Sequence, residues 1–127
     1  MKINLMDAKG VAPSVGPYSH AVTLDDLVFV SGNVGIDSKA QLVSSNVVDQ
    51  TMQAFLNIRV VLEASGSKIS DIVKTTVFLV DMNDYSAVNA AYATAMEGHA
   101  PARSCVAVAA LPLGAKVEIE VIARKSA

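Results

Sequence analysis

The sequence has few of the residues that usually cross-link or anchor a small protein. Its 127 residues include one cysteine, four prolines, two histidines and no tryptophan, and only 17% of the chain is charged. The single thiol, Cys105, excludes an intrachain disulfide, which agrees with a reducing compartment. A chain of this length can build a core without disulfides or a structural metal. We therefore expect one globular domain over residues 1–127.

Long apolar runs and basic clusters are also missing. The longest apolar stretches are strand-sized, well short of the ~20 residues that span a bilayer, and residues 1–10 carry charges where a signal peptide is apolar. The ten Lys and Arg residues are scattered along a chain of net charge −2, which disfavours nucleic acid as a partner. His20 and His99 lie far apart without clustered thiols or carboxylates, so we expect no metal. We expect a cytosolic protein that binds neither membranes nor nucleic acid.

The apolar residues that are present exceed what one small domain hides easily. They make up 52% of the chain, although aromatic residues contribute only 5%, and most of them are Val and Ala. A domain this apolar and this poor in charge is expected to cover part of its surface by self-association. Composition alone therefore predicts an oligomer.

The spacing of apolar residues predicts an α+β fold with the element order ββαβαββ. Ser45 or Asn46 is expected to cap the first helix and Gly66 to end it, whereas Asp84 caps the second helix and Gly98 ends it. A Gly/Asp/Ser-rich loop precedes the first helix. The predicted helices span 47–65 and 85–97, the strands span 18–24, 27–32, 71–80, 103–111 and 116–124, and a short extra strand is expected at 2–5.

The predicted topology leaves one face of the sheet bare. We expect the LPLG turn at residues 111–114 to join the last two strands in a hairpin. Two helices cover only one face of such a sheet, so the other face is expected to pack against further subunits. The small or apolar residues assigned to that bare face are Val28 and Val30, or Cys105, Ala107 and Ala109.

Arg103 and Cys105 are the first candidates for chemistry. Arg103, in the segment PARSC, offers a planar fork of donors suited to a carboxylate or phosphate; the alternative is a solvated arginine at a strand end. Cys105 shares its sheet face. As a nucleophile it needs a base, for which His20 and His99 are the candidates, but a cysteine in an Ala/Val strand is more often a small buried hydrophobe.

Glu118 and Glu120 project from one face of the last predicted strand. Paired carboxylates carry out acid/base chemistry on water in many enzymes. The alternative is that they form the polar face of an amphipathic strand, and the pattern alone does not decide between the two.

Four separated segments together resemble the RidA/YjgF family of imine deaminases, also called endoribonuclease L-PSP. The resemblance covers about residues 10 to 124 and is most specific in PARSCV, KTTVF and VEIEVIA. The segments are VGPYSHAV, VFVSGNVGID, DIVKTTVFLVDMNDYSAVNAAY and PARSCVAVAALPLGAKVEIEVIA.

The resemblance implies a chorismate-mutase-like fold, with a mixed sheet and two helices on one face. It also implies a homotrimer with a central β-barrel and clefts between adjacent subunits. The implied activity is hydrolysis of 2-imino acids or their enamine tautomers, such as 2-aminoacrylate and 2-iminobutyrate, to 2-keto acids and ammonia, without a cofactor. A ligand-binding protein without turnover is the alternative, and an endoribonuclease is disfavoured by the charge.

The same resemblance implies roles for individual residues. Arg103 matches the arginine that clamps the substrate carboxylate, with the backbone of Cys105 beside it. Glu118 matches the acid that helps to hold the attacking water, so Glu120 is not assigned that role. The remaining residues implied to line the cleft are Tyr18, Ser31, Gly32 and Asn89.

Two features of the sequence depart from the family pattern, and a separate expectation concerns the distance between Glu118 and Arg103. Asn33 stands where many members carry Gln, and the segment before Pro101 is short and has Ala100, so we expect a more open cleft near His99. In the predicted final hairpin Glu118 would lie opposite about Val108, roughly 16 Å along the strand from Arg103 at ~3.3 Å per residue. We therefore expect the two groups to meet across a subunit boundary.

Overall fold

Six strands and two α-helices form the protein in the computed structural model, which describes residues 1–127. Neither helix is long and apolar enough to cross a membrane. The elements in chain order are β1 (Ile3–Met6), β2 (Ala21–Leu24), β3 (Leu27–Val34), α1 (Val47–Ala64), β4 (Ile72–Leu79), α2 (Tyr85–Met96), β5 (Ala102–Ala107) and β6 (Val117–Arg124).

The strands form one mixed sheet in the order β1-β2-β3-β6-β4-β5. Only β4 and β5 are parallel, and every other neighbouring pair is antiparallel. The mixed sheet with two helices is confirmed, and β1 is the short extra strand expected near the start of the chain. β2 begins at Ala21 rather than at residue 18, and β3 continues through Asn33, which the sequence pattern assigned to a loop.

The predicted hairpin between the last two strands is wrong. β5 pairs with one side of β4 and β6 pairs with the other side, so the connecting segment crosses the end of β4. There the Val108 N–H donates to the Leu79 carbonyl at 2.7 Å, and the Val80 N–H donates to the Lys116 carbonyl at 3.3 Å. The LPLG segment is a 3₁₀ turn within this crossover. The hairpin register that set Glu118 opposite Val108 therefore does not exist.

Alternation along β6 separates the two faces of the sheet. Val117, Ile119 and Ala123 are fully buried in the core under the helices, whereas Glu118 and Glu120 project from the opposite face. Both helices contribute to this one core, α1 through residues such as Ile58 and α2 through residues such as Met96. The sheet thus has a helix-covered face and an open face.

The residues assigned to the open face were assigned wrongly. Val28 and Val30 are buried under the helices, while Leu27 and Phe29 stand on the open face with 39% and 38% of their surface exposed. All four residues of the segment LVFV at 27–30 are apolar, so the alternation of side chains along a strand could not predict whether Val28 and Val30 or Leu27 and Phe29 face the core. Cys105 packs against the core, Ala107 is in register with the buried Leu79, and Ala109 lies beyond β5.

The predicted ends of α1 are confirmed, and Asp84 occupies the predicted N-cap position of α2 without capping the helix through its side chain. The Asn46 side chain accepts hydrogen bonds from the Val48 and Asp49 N–H groups, as an N-cap does. Asp84 makes no side-chain cap hydrogen bond, because a 3₁₀ turn precedes α2 and Asp81 caps that turn instead. Left-handed backbone at Glu97 and Gly98 ends α2.

A buried carboxylate fastens the end of β6 to the start of β4. Asp71, which is 4% exposed, accepts hydrogen bonds from the Ser126 hydroxyl and, at 3.2 Å, from Arg124 Nε. The Ser126 hydroxyl is the largest cause of a lowered pKa at Asp71, which Arg124 lowers further against the opposing effect of burial. Asp71 is therefore held as a carboxylate in the folded protein.

Replacing Asp71 with Asn is expected to lower the free energy of unfolding at neutral pH by about 1–2 kcal/mol, since charged hydrogen bonds are weakened. A lowered folded-state pKa stabilises the fold above the ordinary pKa, and this contribution is lost as pH falls through the lowered value. The two proteins should therefore converge in acid. Urea unfolding at a series of pH values checks this, with the exposed Asp26→Asn as control. A gap that persists in strong acid contradicts it.

Candidate active site

The residues that the sequence singled out fall into two separate groups. Tyr18, Ser31, Gly32 and Glu118 line one cavity of about 470 Å³, which we call the cleft. Asn89 and Arg103 meet elsewhere, between α2 and β5. The cleft is walled by the segment before β2, by β3, by α1, by β4, by the turn before β6 and by β6 itself.

Glu118 lies at the base of the cleft against the backbone of β3. The register between β3 and β6 shifts between Val30 and Asn33, which is a bulge. At Gly32, inside this bulge, an added Cβ would lie only 2.8 Å from Glu118 Cδ. The absence of a side chain at Gly32 therefore lets the Glu118 carboxyl lie against the strand.

Burial and a neighbouring charge both act on Glu118. Burial is the larger cause of a raised pKa at Glu118, and repulsion from Glu120 raises it further. Both carboxyls line the cleft. A carboxyl that ionises less readily than usual keeps its proton to a higher pH than an ordinary glutamate, which suits it to giving and taking a proton.

Hydrogen bonds to the backbone fix another part of the cleft wall. The Ser31 hydroxyl donates to the Ser19 carbonyl at 2.7 Å, so it joins β3 to the segment before β2. Tyr18 is 48% exposed, and its hydroxyl accepts weakly from the Val15 N–H at 3.4 Å. Ser31 therefore positions the wall, while Tyr18 presents its ring to the cleft.

His20 is a cleft residue whose place the sequence did not reveal. Its Nδ1 accepts from the Ala8 N–H and its Nε2 donates to the Ala12 carbonyl, both at 2.9 Å. The ring therefore ties the segment before β2 to the sheet in a single tautomer. This role depends on the Ala8 N–H and the Ala12 carbonyl, which the His20 ring binds. A sequence does not show which backbone groups lack a partner, so this role could not be predicted.

Cys105 has no base beside it. His20 lies at the other end of the sheet, and the His99 ring is hydrogen-bonded to the Ile72 carbonyl at 2.7 Å. Burial raises the pKa of the Cys105 thiol more than the charge of Arg103 lowers it. A protonated thiol packed against the core fits a small hydrophobe rather than a nucleophile.

Arg103 is held by three residues spaced along one side of α2. Its Nη2 donates to Asn89 Oδ1 at 2.8 Å and to the Tyr85 hydroxyl at 3.1 Å. Its guanidinium carbon lies 4.8 Å from the Tyr92 ring centre and 5.5 Å from the Tyr85 ring centre. Positions 85, 89 and 92 are one helical turn apart, so all three face the same strand. We call these four residues the arginine cluster.

The floor of the arginine cluster is rigid. Tyr92 is 9% exposed, its hydroxyl shares a 2.7 Å hydrogen bond with the buried Thr75, and its ring meets Phe55 edge to face at 5.4 Å. The sequence pattern did not single out Tyr85 or Tyr92 as site residues and missed their contact with Arg103. The spacing that also includes Asn89 is the signal that could have found it.

Arg103 has no acidic partner within the chain. The two ion pairs of the protein join Arg59 to Glu97 and Arg124 to Asp71. Aromatic faces and neutral acceptors stabilise the cation without neutralising it. A half-buried arginine without a counterion is free to pair with an anion, and its planar fork of N–H donors matches the geometry of a carboxylate.

Arg103 and Glu118 lie on opposite faces of the sheet. Arg103 is in register with Thr75, whose side chain contacts α2, whereas Glu118 lies between two core residues of β6 and points to the open face. The two groups therefore do not converge within one chain. No three or more His, Cys, Asp or Glu side chains lie close enough together to hold a metal ion.

Replacing Glu120 with Gln is expected to lower the pKa of Glu118, because it removes the like charge that opposes ionisation. The shift should be partial, since burial is the larger cause and remains. An NMR titration of the Glu118 side-chain carboxyl measures it, with the exposed Glu97→Gln as the control. An unchanged titration midpoint would show that the two carboxyls are not coupled.

Comparison with known proteins agrees with this arrangement of elements. A family model described as endoribonuclease L-PSP matches residues 9–125. The chain is 49% identical over 111 residues to a Mus musculus protein named 2-iminobutanoate/2-iminopropanoate deaminase, a match covering 87% of this chain and 82% of that protein. A protein of the same name from Salmonella typhimurium is 45% identical over 113 residues, covering 87% of this chain and 88% of that protein.

Solved structures show the same fold. The crystal structure of the yeast protein YEO7 superimposes with a TM-score of 0.95 at 38% identity, covering 98% of this chain and 100% of the other. That of Escherichia coli TdcF with bound serine gives a TM-score of 0.91 at 34% identity, covering 97% of this chain and 99% of the other. Because the family model spans nearly the whole chain and the relatives match along most of their length, this chain belongs to the endoribonuclease L-PSP family.

Proposed function

We propose that the protein is a 2-iminobutanoate/2-iminopropanoate deaminase, which hydrolyses 2-imino acids to 2-keto acids and ammonia. The observation that carries this proposal is the arginine cluster, where an uncompensated guanidinium lies on an aromatic floor with N–H groups free for a carboxylate. The names of the relatives from mouse and Salmonella support the same substrate class.

Arg103 and Glu118 have different roles in the proposed reaction. Arg103 binds the substrate carboxylate and fixes the imine carbon in place, which removes the entropy of orientation from the chemical step. Water then adds to that carbon, and Glu118 takes a proton from the water and passes it to the nitrogen. Glu118 next carries the proton of the carbinolamine hydroxyl to the same nitrogen, so that the C–N bond breaks, ammonia leaves, and the C=O bond of the keto acid forms.

The raised pKa of Glu118 suits this proton transfer. A carboxyl whose pKa lies above its usual range is a better acceptor of the proton of water and still returns it to the leaving nitrogen. Tyr18, Ser31 and Gly32 then shape the cleft that holds the water and the side chain of the substrate. This chemistry needs no nucleophilic thiol, which agrees with the partly buried Cys105, whose thiol has a raised pKa.

We also infer that each complete site is shared between two copies of the chain. Arg103 and Glu118 are on opposite faces of one sheet, so a second copy must bring its cleft to the arginine cluster of the first. The open face supports such an assembly, since it carries exposed or half-exposed apolar side chains on four strands, namely Phe29, Phe78, Val106 and Ile122. A trimer with these faces lining a central barrel satisfies both requirements.

Replacing Arg103 with Ala is expected to reduce kcat/KM at least about 100-fold, since a bidentate carboxylate loses two charged hydrogen bonds worth ~1.5–3 kcal/mol each. Arg103→Lys keeps the charge but not the fork and should recover only part of the activity. Keto-acid release from 2-iminobutanoate generated in solution measures this.

Arg59→Ala is the matched control, because Arg59 is a partly exposed arginine paired with Glu97. Equal rates for wild type and Arg103→Ala would contradict the proposed function. Saturable binding of the keto acid without any turnover in wild type would instead assign a non-catalytic binding protein.

A mixture of two inactive variants tests the shared site. Chains carrying Arg103→Ala and chains carrying Glu118→Gln, coexpressed in equal amounts, should regain about one quarter of wild-type activity. Half of the chains keep Arg103 and the other half keep Glu118, so random assembly gives about one site in four with both residues intact. Arg103→Ala mixed with the double variant Arg103→Ala/Glu118→Gln is the control and should stay inactive. Hybrid oligomers that form, as seen by native mass spectrometry, but stay inactive would contradict a shared site.

A further inference from the structure

Both N–H bonds on one terminal nitrogen of Arg103 are already matched by acceptors. Nη2 carries two N–H bonds and lies 2.8 Å from Asn89 Oδ1 and 3.1 Å from the Tyr85 hydroxyl. Arg103 Nη1 and Nε make no hydrogen bond within the chain. Two of the five N–H bonds of the guanidinium are therefore already used by acceptors of the same chain before any ligand arrives.

The shape of a guanidinium makes Nη2 the critical atom. A carboxylate binds an arginine through two parallel N–H bonds, either the Nη1 and Nη2 pair or the Nε and Nη2 pair. Each of these two edges includes one N–H of Nη2. A carboxylate that binds Arg103 bidentately must therefore displace Tyr85 or Asn89.

Tyr85 is the acceptor that gives way more easily. It is the first residue of α2, it is 40% exposed, and its hydrogen bond is the longer of the two. A displaced exposed hydroxyl regains its hydrogen bonds from water, whereas a displaced half-buried amide at Asn89 would lose a partner at a larger cost.

We propose that the Tyr85 hydroxyl is a placeholder for one carboxylate oxygen of the substrate and sets the selectivity of the site for anions. A carboxylate forms a stronger, charge-assisted bond to Nη2 than a phenol does, so it displaces Tyr85. A neutral imine or amide offers no such advantage and leaves Tyr85 bound. This inference rests on the proposed function, which assigns Arg103 to the substrate carboxylate, and adds Tyr85 as a specificity-determining residue.

The placeholder predicts a gain of affinity when the hydroxyl is removed. Tyr85→Phe keeps the ring beside the guanidinium and removes only the competing acceptor. The dissociation constant of 2-oxobutanoate, measured by calorimetry, and KM for 2-iminobutanoate should both fall about two- to tenfold, the size of one net hydrogen bond. The change should appear in KM rather than in kcat, because the hydroxyl has left Arg103 once the substrate is bound.

A neutral ligand separates selectivity from a general change in the site. Affinity for 2-oxobutanamide, which has the shape of the keto acid without its charge, should be the same in wild type and Tyr85→Phe. Ser86→Ala, an exposed substitution next to Tyr85 on α2, is the matched control and should leave every constant unchanged. Thermal unfolding of each variant checks that the fold is retained.

The outcomes distinguish this inference from the proposed function. If Tyr85→Phe weakens 2-oxobutanoate binding, the hydroxyl positions Arg103 rather than competing for it, and the placeholder is overturned. It is also overturned if affinity is unchanged, or if the amide gains as much as the acid. In each case wild-type turnover of 2-iminobutanoate would still support the deaminase. Wild type that neither binds the keto acid nor turns over the imine would overturn both.

Discussion

The position of β6 in the middle of the sheet is the constraint on which the rest of the protein depends. β6 pairs with β3 on one side and with β4 on the other, so these two strands are joined within the sheet only through it. Its alternation sends Val117 and Ile119 into the core and Glu118 to the open face. β6 therefore contributes residues to the helix-covered core and places Glu118 in the cleft. Because Glu118 points to the open face, β6 also keeps it apart from Arg103.

Local chemistry in the sequence was enough to predict the elements but not how the last two strands pair. Asn46, Gly66 and the 3.6-residue period defined α1, because capping and amphipathicity are local properties. The hairpin between β5 and β6 was wrong because strand adjacency in sequence does not fix adjacency in a sheet. The exposed edge position of β5 and the buried central position of β6 could be distinguished only with the whole sheet assembled.

The candidate site was predicted by different routes. Arg103 and Glu118 came from the resemblance to a family, since residue types alone left a solvated arginine and a polar strand face as alternatives. Tyr85 and Tyr92 flank Arg103 but were not predicted as site residues. The chain has only six aromatic residues, and two of them contact this guanidinium while Phe55 supports one of the two. Half of the aromatic residues of the chain therefore lie at or directly beneath the Arg103 guanidinium and give it an apolar, rigid environment.

The central strand is also the last element of the chain, and this has a consequence for how the protein folds. β3 and β4 cannot be joined into one sheet until β6 has inserted between them, so the pairings that close the sheet connect segments far apart in sequence. Such non-local pairings require loop closure before any contact is gained, which slows folding. During synthesis the apolar inner faces of β3 and β4 emerge well before their common partner. The chain therefore depends on a late step to hide them, and that interval is when it is most exposed to aggregation.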